Sequence, residues 1–250
     1  MNIETYGTGE RLKIAAGLAG SIPAEGHLVL LPVPTTKDGV HVFGTDILLS
    51  DTLCNLDEKS VIVGYGLPKD FISEINARGA AVLDLSCDEE YLSENAYITA
   101  VGAVGYILTT SKKSPDGVRF GIVGYGRIGS RLVKMLLFLG GSVKVYTTNP
   151  LNSVTLGECG IDCTYVSGGD RYDFSGIDIL INTAPKDMRE AVSYGYVCEK
   201  MRIIELASGD NFAGISEVER LPGIPERMFC ESAGQTYFSA IERFLNTIRR

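Results

Sequence analysis

The chemistry of this chain starts at three glycines. They stand in Phe120-Gly-Ile-Val-Gly124-Tyr-Gly126-Arg-Ile-Gly129-Ser130, a G-x-G-x-x-G spacing. An apolar run, Val118 to Tyr125, precedes the turn, an amphipathic segment, Arg127 to Leu139, follows it, and a second apolar run, Ser142 to Thr148, comes next. Strand, turn, helix and strand within about 30 residues is the context in which this spacing binds a dinucleotide. Gly124 permits the tight turn, Gly126 lets the backbone approach a pyrophosphate, and Gly129 lets the helix pack closely on the strand. The helix start supplies N–H groups and the positive end of its dipole, both suited to phosphate.

The second strand ends in Lys144-Val-Tyr-Thr147-Thr148-Asn149. A site selective for NAD places a carboxylate there, about 20 residues after the turn, to accept from the ribose 2′-hydroxyl. Hydroxyls and an amide instead donate to a 2′-phosphate without repelling it, so Thr147, Thr148 and Asn149 favour NADP over NAD. Arg127 is placed to reach the phosphates. Ligands of open parallel sheets lie beyond the carboxyl ends of the strands. Three such ends are small and polar: Asn182-Thr183-Ala184-Pro185, Ala207-Ser208-Gly209-Asp210 and Cys230-Glu231-Ser232-Ala233-Gly234. Thr183, Ala184, Pro185 and Ser208 are therefore expected against the cofactor.

The elements that must hold these residues follow from the same pattern. The strand His27 to Pro34, the strand Ser60 to Gly66, the helix from Pro68 to Arg78-Gly79 and the strand Ala80 to Leu85 make a parallel βαβ unit. Val40 to Leu49 reads as hairpin-like strands. Glu94 to Thr110 reads as a close-packed connecting helix, and the polar Ser111 to Gly117 as a boundary. The two further strands are Asp178 to Thr183 and Arg202 to Ala207. Ser232 to Arg250 reads as a helix with Tyr237, Ile241 and Phe244 on one face. The fold class is α/β with two α/β domains, the second a Rossmann-type doubly wound parallel sheet. The domains expected are 1–94, a connecting segment 95–117, 118–231, and a C-terminal helix 232–250 packing back on the first.

Composition narrows the function classes. Of 250 residues, 45% are apolar and 22% charged, which excludes a disordered chain. A net charge of −8 opposes a nucleic-acid partner. No apolar run reaches the length of a membrane span and the first residues do not read as a secretory signal, so a cytoplasmic protein is expected. Six scattered cysteines, without a C-x-x-C pair, predict reduced and mostly buried thiols and no metal site.

Beyond these readings the chain resembles a family. Gly121 to Ser130, Asp178-Ile-Leu-Ile-Asn-Thr-Ala-Pro185, Ile204-Glu-Leu-Ala-Ser208, Leu221-Pro-Gly-Ile-Pro225 and Ser232-Ala-Gly-Gln235 occur in order. That order resembles the NAD(P)-binding domain of the dipicolinate synthase A-subunit family. Leu31-Pro-Val-Pro-Thr-Thr-Lys-Asp-Gly39 is similar to the family's post-strand loop, and Asn95 to Gly102 to the start of its interdomain helix. The resemblance implies two α/β domains, an NADP-type cofactor and a cyclic dicarboxylate related to dihydrodipicolinate. It implies that the partner during sporulation is a flavoprotein-like B subunit. By match it implies cofactor contacts at Gly124, Gly126, Arg127, Ile128, Gly129, Thr147, Thr148, Thr183 and Ser208. It implies a substrate-side loop of Thr35, Thr36, Asp38 and Gly39. The candidate catalytic residues are Asp38, Thr36 and Ser232. A homo-oligomer is compatible with it. The sequence departs from the family in three places: an initial strand–helix unit is not read, Val101 stands where a glutamate is expected, and Ala207-Ser-Gly-Asp-Asn211 replaces an arginine-bearing loop.

Two alternatives stand beside this. The glycine turn also resembles D-2-hydroxyacid dehydrogenases, which need a late histidine for proton transfer. Only His27 and His41 exist here, which disfavours that chemistry. The other alternative is a dinucleotide-binding protein with a regulatory or assembly role and no catalysis.

Overall fold

The structure is a computed structural model and describes residues 2–22, 26–167, 172–194 and 201–248. The chain divides into two units, Met1–Ile98 with Pro225–Arg250, and Thr99–Ile224.

The first unit is built on a parallel sheet of β1 (Asn2–Thr5), β2 (His27–Leu30), β3 (Ser60–Gly64) and β4 (Ala81–Asp84), in that order. The strand β3, Ser-Val-Ile-Val-Gly, is buried at every position. A parallel strand covered on both faces needs such an unbroken apolar run. Alternate residues serve opposite layers. Leu28, Leu30, Val61 and Val63 pack with Leu12, Ala15 and Ala19 of α1 (Glu10–Ala19) and with Tyr237, Ala240 and Ile241 of the last helix, α8 (Cys230–Ile248). Val29, Leu31 and Ile62 pack with Phe71 and Ile75 of α2 (Lys69–Ala77). Each fully buried aliphatic side chain of this set contributes roughly 1.5–3 kcal/mol.

Three expectations are corrected here. The chain does carry an initial strand–helix unit, β1 with α1, where the sequence reads none. The element escapes notice in the sequence because β1 is a four-residue edge strand with Ile3 as its one apolar residue. Val40 to Leu49 is not a pair of strands. A single antiparallel bridge joins His41 and Leu48, and Leu49–Leu53 turns into a short 3-10 helix. The residues between them are spent on a turn closed by Val42 N–H donating to the Ile47 carbonyl. The cysteines are not mostly buried: Cys54, Cys87 and Cys159 are exposed and Cys163 and Cys230 half-buried. Cys54 and Cys159 end helices, where the chain turns outward. Cys198 and positions 249–250 lie outside the described residues.

Among its described residues the second unit has six parallel strands: β5 (Arg119–Val123), β6 (Ser142–Thr147), β7 (Asp162–Tyr165), β8 (Ile179–Asn182), β9 (Arg202–Glu205) and β10 (Val218–Arg220). Their order is β10-β9-β8-β5-β6-β7. This is the doubly wound order, with its reversal between β5 and β8. The helix α3 (Glu89–Thr110) is continuous over 22 residues. The division between units falls inside it, between Ile98 and Thr99. Its later residues Ala100, Ala103, Val104 and Ile107 join the core of the second unit. The helix α4 (Arg127–Phe138) buries Gly129, Leu132, Val133 and Leu136 against the sheet. It ends because Gly140, at φ +85°, reverses the chain while the N–H groups of Gly140 and Gly141 donate to the Leu137 and Leu136 carbonyls. Three shorter helices follow in the chain before α8: α5 (Pro150–Glu158), α6 (Arg189–Tyr194) and α7 (Ile224–Met228).

Candidate functional site

Register places the expected cofactor residues on one edge of the second sheet. Val123 at the end of β5 pairs with Tyr146 on β6 and with Asn182 on β8, and Asn182 pairs with Glu205 on β9. The residues that follow these four are therefore carried to the same carboxyl edge. They include Gly124, Thr147, Thr148, Thr183, Ala184 and Pro185, with Ser208 three positions beyond Glu205.

The glycine turn shows what each glycine is for. Gly124 has φ +91°, and a Cβ there would stand 2.9 Å from the Thr183 hydroxyl. Its N–H donates to the Tyr146 carbonyl at 2.8 Å. A Cβ on Gly129 would lie 2.2 Å from the Gly124 carbonyl oxygen, so the first turn of α4 touches the loop backbone. Gly126 differs. It is the N-cap of α4 and exposed, and a Cβ there would meet nothing within 4 Å. Protein packing does not require that glycine; a group approaching from outside would. No side chain of the cap residue closes this end, and no acidic residue stands in the first turn of α4. The residues present thus fit a diphosphate at the helix start. Arg127 is exposed in that first turn, and Ile128 turns its half-buried side chain into the core below.

Thr183 locks the turn. Its hydroxyl donates to the Val123 carbonyl at 2.9 Å, and its N–H donates to the same oxygen at 2.9 Å. Thr147 is buried, its hydroxyl accepting from the Asn149 N–H at 3.1 Å. Asn149 caps α5, its Oδ1 accepting from the Leu151 N–H. Thr148 is exposed at the strand end, as are Pro185 and Ser208 on their loops, while Ala184 is half-buried.

Sequence reasoning missed one member of this edge. Glu205 is buried, and Asn182 Nδ2 donates to its two carboxyl oxygens at 3.1 and 3.2 Å. The Ala207 N–H donates to it at 2.8 Å. Asn182 in turn donates to the Ala184 carbonyl at 3.0 Å and accepts from the Ala184 N–H at 3.2 Å. The pair ties the loops after β8 and β9 together, and burial pushes the Glu205 carboxyl above its ordinary range. The signal was a lone acid inside the apolar run Ile203-Ile-Glu-Leu206.

In the first unit, the structure brings Thr36 and Asp38 together in one turn. Asp38 Oδ1 accepts from the N–H groups of Val40 and His41, both at 2.9 Å, and from the Thr36 hydroxyl at 3.1 Å. Its Oδ2 accepts from His41 Nδ1 at 2.7 Å. The His41 contact, then the backbone donors, hold this carboxyl far below the usual carboxylate range. Asp38 therefore stays ionised near neutral pH and orients the His41 ring and the turn. Thr36 accepts from the Gly39 N–H, and Gly39 has φ +80°. Thr35 is fully buried, its hydroxyl accepting from the Tyr65 N–H at 2.7 Å, so it staples the loop to β3 from inside. Ser232 stands exposed in the first turn of α8, an element apart from the Thr36–Asp38 turn.

No family model matches the chain, and no curated protein matches it in sequence. Solved structures do match it in fold. The A chain of dipicolinate synthase from Bacillus subtilis aligns with TM-score 0.78 at 20% identity, over 100% of this chain and 97% of that one. The A subunit of dipicolinate synthase from Bacillus halodurans gives TM-score 0.74 at 16% identity, over 98% and 97%. The transhydrogenase from Sinorhizobium meliloti gives 0.62 at 14% identity, over 88% and 74%. The chain has a fold related to these, α/β with two parallel sheets, the second of Rossmann type. Among the described residues, no helix is long and apolar enough to cross a membrane.

Proposed function

We propose that the chain is an NADP-dependent oxidoreductase of the dipicolinate synthase A-subunit kind, acting in the cytoplasm on a small cyclic dicarboxylate. One observation carries the reading. At Gly126 the backbone lies bare at the uncapped start of α4, where the fold requires no glycine. The hydroxyl-rich end of β6, without a carboxylate at Thr147, Thr148 or Asn149, supports NADP. The turn residues Gly124, Gly126 and Gly129 hold the diphosphate, with Arg127 and Ile128 presenting the first-turn backbone. Thr183, Ala184, Pro185 and Ser208 border the nicotinamide end.

When bound, the nicotinamide accepts or gives a hydride. A dihydropyridine dicarboxylate loses one hydride from a ring carbon and one proton to a base, yielding the aromatic ring, NADPH and H⁺. Aromatisation drives that step, so no strong protein base is needed. Asp38, held ionised, keeps the His41 ring and the Thr36 turn in place, and Ser232 contributes a hydroxyl. The partner is a flavoprotein-like B subunit.

Purified protein with dihydrodipicolinate and NADP, alone and with a candidate B subunit, is expected to form NADPH. Nucleotide binding with no turnover in either mixture would leave the second reading, a dinucleotide-binding protein with an assembly role. The tie of Asp38 to its own turn favours that second reading, since a carboxyl so held is a poor proton carrier.

A further inference from the structure

Within the first unit, a cavity of about 170 Å³ opens beside the start of α1. Thr8, Gly9 and Arg11 line one side; Leu12, Pro32 and Phe43 line another. The Arg11 side chain is 7% exposed, an unusual depth for a cation. Its guanidinium is fixed from behind, with Nη1 donating to the Tyr91 hydroxyl at 3.0 Å. Tyr91 is itself fully buried and meets Tyr237 edge-on at 6.4 Å.

The counter-ion is Glu226, which reaches α1 from 215 residues away. Its Oε1 accepts from the Arg11 N–H at 3.1 Å, and a Cβ on Gly9 would stand 2.7 Å from that oxygen. The carboxylate therefore sits at the N-terminus of α1, where an anion is favoured. Its other oxygen lies 3.3 Å from Arg11 Nε, yet that buried Nε has no hydrogen-bond partner. A buried guanidinium donor left unmade is costly, and a structural ion pair normally fills it. Glu226 is also 32% exposed and rides on the short helix α7. The cation is immobilised and desolvated, while the anion is partly exposed to water and imperfectly seated.

We propose that this cavity is a carboxylate-binding pocket and that Glu226 holds the place a ligand's carboxylate takes. The ligand class is a small flat carboxylic acid. Its carboxylate lies between Arg11 Nε and the backbone at Gly9 to Arg11, with its ring against Pro32 and Phe43. Binding exchanges one carboxylate for another, so no buried charge is left unpaired. The inference concerns binding in residues 1–98 and 225–248 and stands whether or not the turn at Gly124 takes a nucleotide.

Calorimetric titration of the full chain with benzoate, pyridine-2-carboxylate and pyridine-2,6-dicarboxylate tests it, with benzamide as the uncharged control. At least one carboxylate is expected to bind, and benzamide is not. Glu226→Gln removes the internal competitor and is expected to tighten binding by roughly tenfold or more, if that competitor is seated about nine-tenths of the time. Arg11→Met is expected to abolish binding. The proposal is overturned if no carboxylate binds to either wild type or Glu226→Gln, if benzamide binds equally, or if Glu226→Gln leaves affinity unchanged or weaker. Should Arg11→Met fail to fold, the comparison of Glu226→Gln with wild type still decides.

Discussion

Two glycines of one turn show how single residues divide their duties. A Cβ on Gly129 would collide with the Gly124 carbonyl oxygen, whereas one on Gly126 would meet open space. Gly129→Ala is therefore expected to cost about 1–3 kcal/mol in chemical unfolding, because backbone must shift. Gly126→Ala is expected to change stability by no more than about 0.5 kcal/mol, yet to weaken NADP binding by roughly tenfold or more in calorimetry. Equal losses of stability in the two variants would remove the case for an outside ligand at Gly126. Glu205 supplies a second residue-scale prediction. Its folded pKa is raised from an ordinary 4.5 by burial. Its contribution to stability is thus full below that ordinary value and is lost as pH rises through the folded one. Glu205→Gln removes the ionisation, so the stability of the variant relative to wild type is expected to grow with pH above about 4.5, read by urea unfolding across pH. The glycines were legible because each must satisfy local backbone geometry. Glu205 was not, since its partners Asn182 and Ala207 reveal a site only once β8 and β9 lie side by side.

At the scale of elements, α1 and α8 meet closely enough that one hydrogen decides the spacing. A Cβ on Gly234 would stand 2.6 Å from Ile14 Cγ2 and 3.1 Å from the Arg11 carbonyl. Gly234→Ala gains about 1 kcal/mol of helix propensity. Overpacking costs about 1–3 kcal/mol. The clash is expected to win, lowering the thermal midpoint. A rise in the midpoint would mean the helices can part. The same helix pair explains which elements sequence reading found. Strands β2, β3, β5 and β6 announce themselves as apolar runs, and α8 shows Tyr237, Ile241 and Phe244 at helical spacing. The unit β1 with α1 stayed hidden because its stability comes from a partner at the far end of the chain. Tyr237 makes the point: its hydroxyl donates to the carbonyls of Leu31 and Val63, residues no local pattern could pair with it.

For the whole molecule, the two units make separable predictions. If the glycine turn takes NADP, hydrogen exchange is expected to slow at residues 124–130, 147–149, 183–184 and 206–208, all in the second unit. Nucleotide at a hundred times its Kd stabilises the fold that binds it by about 2.7 kcal/mol. Protection confined to residues 1–98 would contradict the assignment. The doubly wound class was readable from the alternation of runs and turns, and α3 runs as one continuous helix through the division between the units. The first unit is also interrupted: residues 99–224 lie between its two pieces. Its α1-side core lacks Tyr237, Ala240, Ile241 and Leu245 until α8 is made. Synthesis runs from the N-terminus, and domains close as units once their residues have emerged. The inserted sheet is complete first, and strands β1 to β4 wait, with one greasy side bare, for α8 to leave the ribosome. The translating chain thus has a long interval in which a chaperone has something to hold.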